Sequence, residues 1–181
     1  MIVGRTARLE LRRFTTAEAL DFFDLNADPE VMRYTGEEPF ASLAAARRFL
    51  ADYDPYSRTG LGRWSLYLLA TGEYIGWCGL KYLAHVDEVD VGYRLMRRAW
   101  GQGYATEAAR FAMDFGFDER RLDVIVARAM HANGASIGVM KKLGMTWEKD
   151  FVESGLELCQ YRVTRERYLS LRRSPFSHPP G

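Results

Sequence analysis

Between Glu88 and Leu95, apolar and polar residues alternate without a break. Val89, Val91, Tyr93 and Leu95 stand against Glu88, Asp90, Gly92 and Arg94, the two-residue period of a half-buried strand. After Gly103 the period changes, and Tyr104, Ala108, Phe111, Ala112 and Phe115 fall on one face of a helix. The strand therefore runs through a turn that holds Arg97, Arg98, Gly101 and Gly103 straight into a helix.

The same reading extends along the chain. Residues 8–14 alternate as a first strand. Thr15 or Thr16 caps a helix carrying Leu20, Phe23 and Ala27, which Asp28-Pro29 ends. A second helix starts at Ser42, with Leu43, Ala46, Leu50 and Tyr53 at helical spacing, and Pro55, Gly60 and Gly62 close it. Residues 63–83 read as a hairpin turning at Thr71-Gly72-Glu73. Residues 122–129 are apolar on both faces, as in a strand covered on both sides. With the preceding strand and helix they make a right-handed βαβ unit whose two strands are parallel. A short helix over 133–143 ends at Gly144, and strands at about 145–153 and 156–164 meet across Ser154-Gly155. The tail from Arg165 reads as frayed. The expected architecture is a mixed α/β sheet of about seven strands and four helices. It forms one domain over residues 1–168, with 169–181 as a flexible tail.

Composition narrows the function. The 181 residues are 48% hydrophobic, enough for a sizeable core, and 25 basic residues face 24 acidic ones for a net charge of +1. That balance argues against nucleic acid or an anionic membrane as partner. Cys78 and Cys159 are too few for a disulfide framework and lack metal-ligand spacing, so no metal is expected. The chain shows no secretory h-region and no membrane span, and a cytoplasmic protein is the expectation.

Gly101 and Gly103 sit where a strand becomes a helix, and the free N–H groups and dipole of a helix start favour an anion. Three readings compete for this turn. A dinucleotide site needs a carboxylate at the end of the next strand. That strand ends Ala-Arg-Ala-Met, and Asp123 lies at its start. A tight connection that binds nothing leaves the two arginines and two glycines without a reason. The third reading is a resemblance. Arg98-x-x-Gly101-x-Gly103-x-Ala105 resembles the pyrophosphate signature of the GNAT superfamily of N-acetyltransferases. Asn133-x-x-Ser136-x-x-Val139-x-x-Lys142-Leu143-Gly144-Met145 resembles its second cofactor motif, in the form of the RimJ/RimL branch that acetylates ribosomal-protein N-termini. Thr6-Ala7-Arg8-Leu9-x-Leu11-Arg12 and Asp28-Pro29-Glu30-Val31-Met32 with Tyr34 are similar to further segments of that branch. The likeness covers about residues 5–168.

The resemblance implies an acetyltransferase that moves an acetyl group from acetyl-CoA directly to an amine. Its acceptor is a protein N-terminus or a small amine such as a polyamine, an amino acid or an antibiotic. A non-catalytic acyl-CoA-binding module is the remaining reading, and a homodimer is a further expectation. Backbone groups near Leu95 and Met96 would hold the pantetheine arm. Amides of Arg98, Gly101, Gln102, Gly103, Tyr104 and Ala105 would hold the pyrophosphate, and Asn133 and Ser136 would also touch the cofactor. Many relatives protonate the leaving thiolate with a Tyr seven residues after the Asn, a position held here by Met140. Ser136 is the candidate acid, or else a helix cap. Asp90 and Glu153 are the candidate bases, or else solvated surface carboxylates. Tyr34, Trp64, Tyr82 and Tyr93 are candidates to line the acceptor cleft.

Overall fold

In a computed structural model that describes residues 1–173, eight strands form one sheet. They are β1 (Ile2–Arg5), β2 (Leu9–Arg13), β3 (Arg63–Leu68), β4 (Tyr74–Leu83), β5 (Glu88–Leu95), β6 (Val124–Met130), β7 (Thr146–Glu153) and β8 (Leu156–Thr164). Their order is β1-β2-β3-β4-β5-β6-β8-β7, and every neighbouring pair is antiparallel except β5 and β6. The mixed sheet and its single parallel crossover agree with the sequence pattern. The additional strand is β1, which pairs with β2 at the sheet edge.

Helices cover both faces. On one lie α1 (Ala19–Ala27), α2 (Pro29–Met32) and α3 (Leu43–Asp52), followed in the chain by α4 (Pro55–Thr59), whose Tyr56 packs against the opposite core. On the other lie α5 (Tyr104–Asp114) and α6 (Gly134–Lys142). Their ends follow from local chemistry. Thr15 and Glu18 form a capping box ahead of α1, Asp28 caps α2 with Pro29 at its first position, and Ser42 caps α3. Asn133 caps α6, and Gly144 at φ 81° ends it.

Alternation divides the sheet residues between the faces. Val91, Leu95, Ile125, Ala127, Ala129 and Val163 pack under α5 and α6 with Ala108, Ala112, Met113 and Met140. Trp77, Tyr74 and Met96 pack with Phe22, Leu25, Ala46 and Leu50 of α1 and α3.

Three expectations are corrected. Helix α1 buries Ala19, Phe22 and Leu25 and leaves Leu20 58% exposed. The packing of Phe22 and Leu25 with Ala46, Leu50 and Trp77 sets the rotation of this helix, which follows a 3-10 turn over Thr16–Glu18. Trp64 is no cleft residue, because it is buried edge-on against Phe111 and Phe115 beneath α5. The chain from Arg165 does not fray. It forms α7 (Arg165–Arg173), pinned by buried Tyr168 against Phe117 and by its hydroxyl, 3.0 Å from Asp114 Oδ1. Residues 174–181, the rest of the expected flexible tail, lie outside the described residues.

Candidate active site

The parallel strands β5 and β6 share one pairing, Asp90 with Val126. Beyond it β6 stays bonded to β8 as far as Met130, so the two strands part toward their C-terminal ends. Met96 N–H donates to Ile75 O over 2.9 Å, and Arg94 lies opposite Trp77. In an antiparallel ladder the bonding direction alternates. The backbone groups of Tyr93 and Leu95 are therefore directed away from β4, into the gap. The carbonyl oxygen of Leu95 accepts the indole N–H of Trp100 over 2.8 Å, which leaves its N–H as the group offered to a ligand.

The gap opens onto the glycine turn. Gly101 and Gly103 hold φ of 72° and 81°, a left-handed backbone that suits glycine. Gly103 is the N-cap of α5, and no side chain caps that helix. Its first N–H groups, with the helix dipole behind them, suit a phosphate. A Cβ on Gly101 would meet nothing within 4 Å, so the approach is open. The turn is held from behind by Arg8, which sequence reading did not assign to the site. Its Nη1 donates to Gln102 O over 2.9 Å, its Nε pairs with Glu107 over 2.6 Å, and its guanidinium lies 4.5 Å from the Tyr104 ring centre. Partial burial pushes the Glu107 carboxyl up, but hydrogen bonds from Thr6 and Arg8 outweigh it and hold the group below its ordinary value. Arg97 and Arg98 do not point freely into the turn. Arg97 pairs with Asp28 over 2.9 Å, and Arg98 pairs with Glu73 over 2.6 Å while donating to Tyr74 O. From this segment the site receives backbone N–H groups rather than guanidinium charge.

Across the gap, α6 presents Ser136. The side chain of Asn133 accepts the Ser136 N–H over 3.1 Å, so Asn133 is the cap and the Ser136 hydroxyl is spared that task. Ser136 Oγ lies 3.0 Å from the hydroxyl of Tyr93 on β5, which also reaches Ser136 O over 3.0 Å. Tyr93, expected in the acceptor cleft, is thus on the α5–α6 side. Burial pushes its phenol well above the ordinary value, opposed by the contact with Ser136. Met140 is buried in the core. Beside Tyr93, burial lifts the Cys78 thiol to about 12, so it is no thiolate nucleophile. Cys159 is buried as well.

The opposite face carries the two candidate bases. Burial lifts the Asp90 carboxyl to about 6 against the pull of Arg63, 3.2 Å away. Gly92 leaves room for that guanidinium, which also stacks 4.4 Å from the Trp77 ring centre. Glu153 is half-exposed and pairs with His85 at 3.2 Å and Arg128 at 3.4 Å. Arg128 is held by Glu88 at 2.7 Å and by Gln160 at 2.8 Å. Arg94 reaches Asn26 and pairs with Glu37 of the loop after α2 at 2.7 Å. That loop meets the β7–β8 turn, where a Cβ on Gly36 would collide with Leu156. Tyr82 is tied to Asp87 over 2.8 Å at the far end of β4, and Tyr34 lies under Arg33. Among the described residues, no group of His, Cys, Asp and Glu could hold a metal, and no helix is long and apolar enough to cross a membrane.

Residues 8–146 match the acetyltransferase (GNAT) domain family. The chain belongs to the GNAT acetyltransferases. It is 34% identical over 151 residues to the uncharacterized protein YkkB of Bacillus subtilis, covering 80% of this chain and 85% of that one. It is 30% identical over 187 residues to the FsC-acetyl coenzyme A-N(2)-transacetylase of Aspergillus fumigatus, covering 93% and 78%. Its fold is similar to that of spermidine N-acetyltransferase from Vibrio cholerae in complex with CoA and spermine. That likeness has a TM-score of 0.75 at 18% identity over 91% of this chain and 99% of that one. This GNAT protein is an acetyl-CoA-dependent N-acetyltransferase. The Leu95 N–H, the uncapped start of α5 and the open approach at Gly101 fit such a donor along its thioester arm and its phosphates.

Proposed function

We propose that this acetyltransferase acetylates the primary amine of a compact acceptor. Acetyl-CoA would lie with its thioester arm along Leu95 and Met96 and its pyrophosphate on the N–H groups from Arg98 to Ala105. Asn133 and Ser136 would flank it from α6. The acceptor would enter from the face of Asp90, Glu88, Glu37 and Glu153, where four carboxylates stand against the guanidinium groups of Arg63, Arg94 and Arg128 and leave a small acidic excess for a cationic amine. In the reaction the cationic amine first loses a proton to free its lone pair, its nitrogen then bonds to the acetyl carbon, the carbon–sulfur bond breaks, and the nitrogen gives up a second proton. The Leu95 N–H supports the carbonyl oxygen as it gains charge. Asp90, raised to about 6, is suited to take the amine proton near neutral pH, directly or through water. Glu153 is the second candidate for that task.

The observation that carries the compact acceptor is the contact of Gly36 with Leu156. We take it to narrow the acceptor face between the loop after α2 and the start of β8, which favours a compact amine over a polypeptide. The RimJ/RimL-like sequence motifs favour a second reading, a protein N-terminus. A CoA-release screen separates the two. Polyamines, amino acids and aminoglycosides should be turned over at least tenfold faster than N-terminal peptides, and the reverse order would support the protein acceptor.

A further inference from the structure

We propose that the Tyr93 phenol and the Ser136 hydroxyl act together as the hydrogen-bond donors that receive the departing thiolate of the acyl donor. The inference rests on the acetyl-CoA reaction alone and holds whichever amine is acetylated.

The two hydroxyls come from opposite walls of the gap, Tyr93 from β5 and Ser136 from the first turn of α6, and meet at 3.0 Å. Tyr93 lies two residues before Leu95 on the same edge and the same face of β5, so its phenol neighbours the N–H that faces the ligand. Tyr93 is only partly buried, as is Ser136. Asn133 caps the helix, so the Ser136 hydroxyl is not spent there.

The phenol has one proton and two acceptors in reach, Ser136 O and Ser136 Oγ. When it donates to the carbonyl oxygen, the serine proton is free to turn toward an anion in the gap. When it turns to that anion, the serine proton can donate to the phenol oxygen. Either way the pair offers one hydrogen bond to sulfur and loses no proton. Burial keeps the phenol neutral over the working range, so its proton is available for a hydrogen bond, and its raised pKa disfavours giving that proton up to form a phenolate. As the carbon–sulfur bond breaks, sulfur carries the electron pair and is later protonated by water. A neutral donor pair thus stands where buried Met140 offers none.

The test uses the whole protein and compares CoA with desulfo-CoA by titration calorimetry. A donor pair lowers the bound thiol's pKa from its ordinary value of about 8.5, so CoA affinity should rise about fivefold or more between pH 6.5 and 9. Desulfo-CoA affinity should stay flat. In Tyr93→Phe and in Ser136→Ala the rise should vanish, with desulfo-CoA bound as by the wild type. Each variant should lower kcat by about tenfold or more with KM for acetyl-CoA little changed, and the double variant should fall by less than the product of the two. A pH-dependent CoA affinity that survives in both variants would overturn the proposal. So would equal weakening of CoA and desulfo-CoA, which marks a merely structural contact.

Discussion

The indole N–H of Trp100 sits 2.8 Å from the carbonyl oxygen of Leu95. A half-exposed side chain of the glycine turn therefore fixes the last residue of β5, whose N–H faces the gap. Trp100→Phe keeps the ring and removes the bond. A hydrogen bond of this kind contributes about 1 kcal/mol, so acetyl-CoA affinity should fall about three- to tenfold. Calorimetric titration checks this, with a melting temperature close to that of the wild type.

Asp90 sets a pH dependence of stability. Its carboxyl stands at about 6 in the folded protein because burial outweighs Arg63, against about 4 in an unfolded chain. The folded state thus holds this proton more tightly. The resulting stabilisation is complete below about pH 4 and is lost as pH rises through about 6. Two pH units correspond to about 3 kcal/mol. Urea unfolding should therefore show the wild type losing up to that amount relative to Asp90→Asn between pH 4 and 6.5. A constant difference would mean that Asp90 keeps an ordinary pKa.

Helix α7 should be part of the folded unit. Tyr168 is buried against Phe117, and its hydroxyl meets Asp114, which also pairs with Arg172 at 3.0 Å. Tyr168→Ala should cost about 3 kcal/mol, a fall in melting temperature of roughly 6–12 °C. Specific activity of the folded fraction should be unchanged, since the residue touches neither the gap nor the acceptor face.

Much of this was legible in the sequence because the signals were local. The alternation of β5, the glycines of the turn and the Asn133 cap each declare themselves within ten residues. Helix α1 did not, since Ala19, Leu20, Phe22, Phe23 and Leu25 put apolar groups on several faces and the packing of Phe22 and Leu25 with Ala46, Leu50 and Trp77 decides which is buried. Helix α7 was hidden for another reason. Tyr168 lies in a run of charged residues, and the groups that bury it, Phe117 and Asp114, are about fifty residues earlier. Tyr93 falls between these cases. The period of β5 already grouped it with Val91 and Leu95, the side of the crossover helix. Its partner Ser136 is 43 residues away and could be found only in three dimensions.

The placement of the acetyl donor on the turn between β5 and α5 is tested most directly by titrating acetyl-CoA into the wild type and Gly103→Val. The variant puts a branched side chain where φ is 81° and the Arg8 guanidinium is 3.3 Å from a new Cβ. That costs about 1–2 kcal/mol in the left-handed backbone and fills the approach to the α5 N–H groups. The wild type should saturate at one acetyl-CoA per chain. The variant, still folded by its far-ultraviolet circular dichroism, should bind at least tenfold more weakly. Wild-type protein that gives no heat with acetyl-CoA, or a variant that binds it equally well, would contradict that placement.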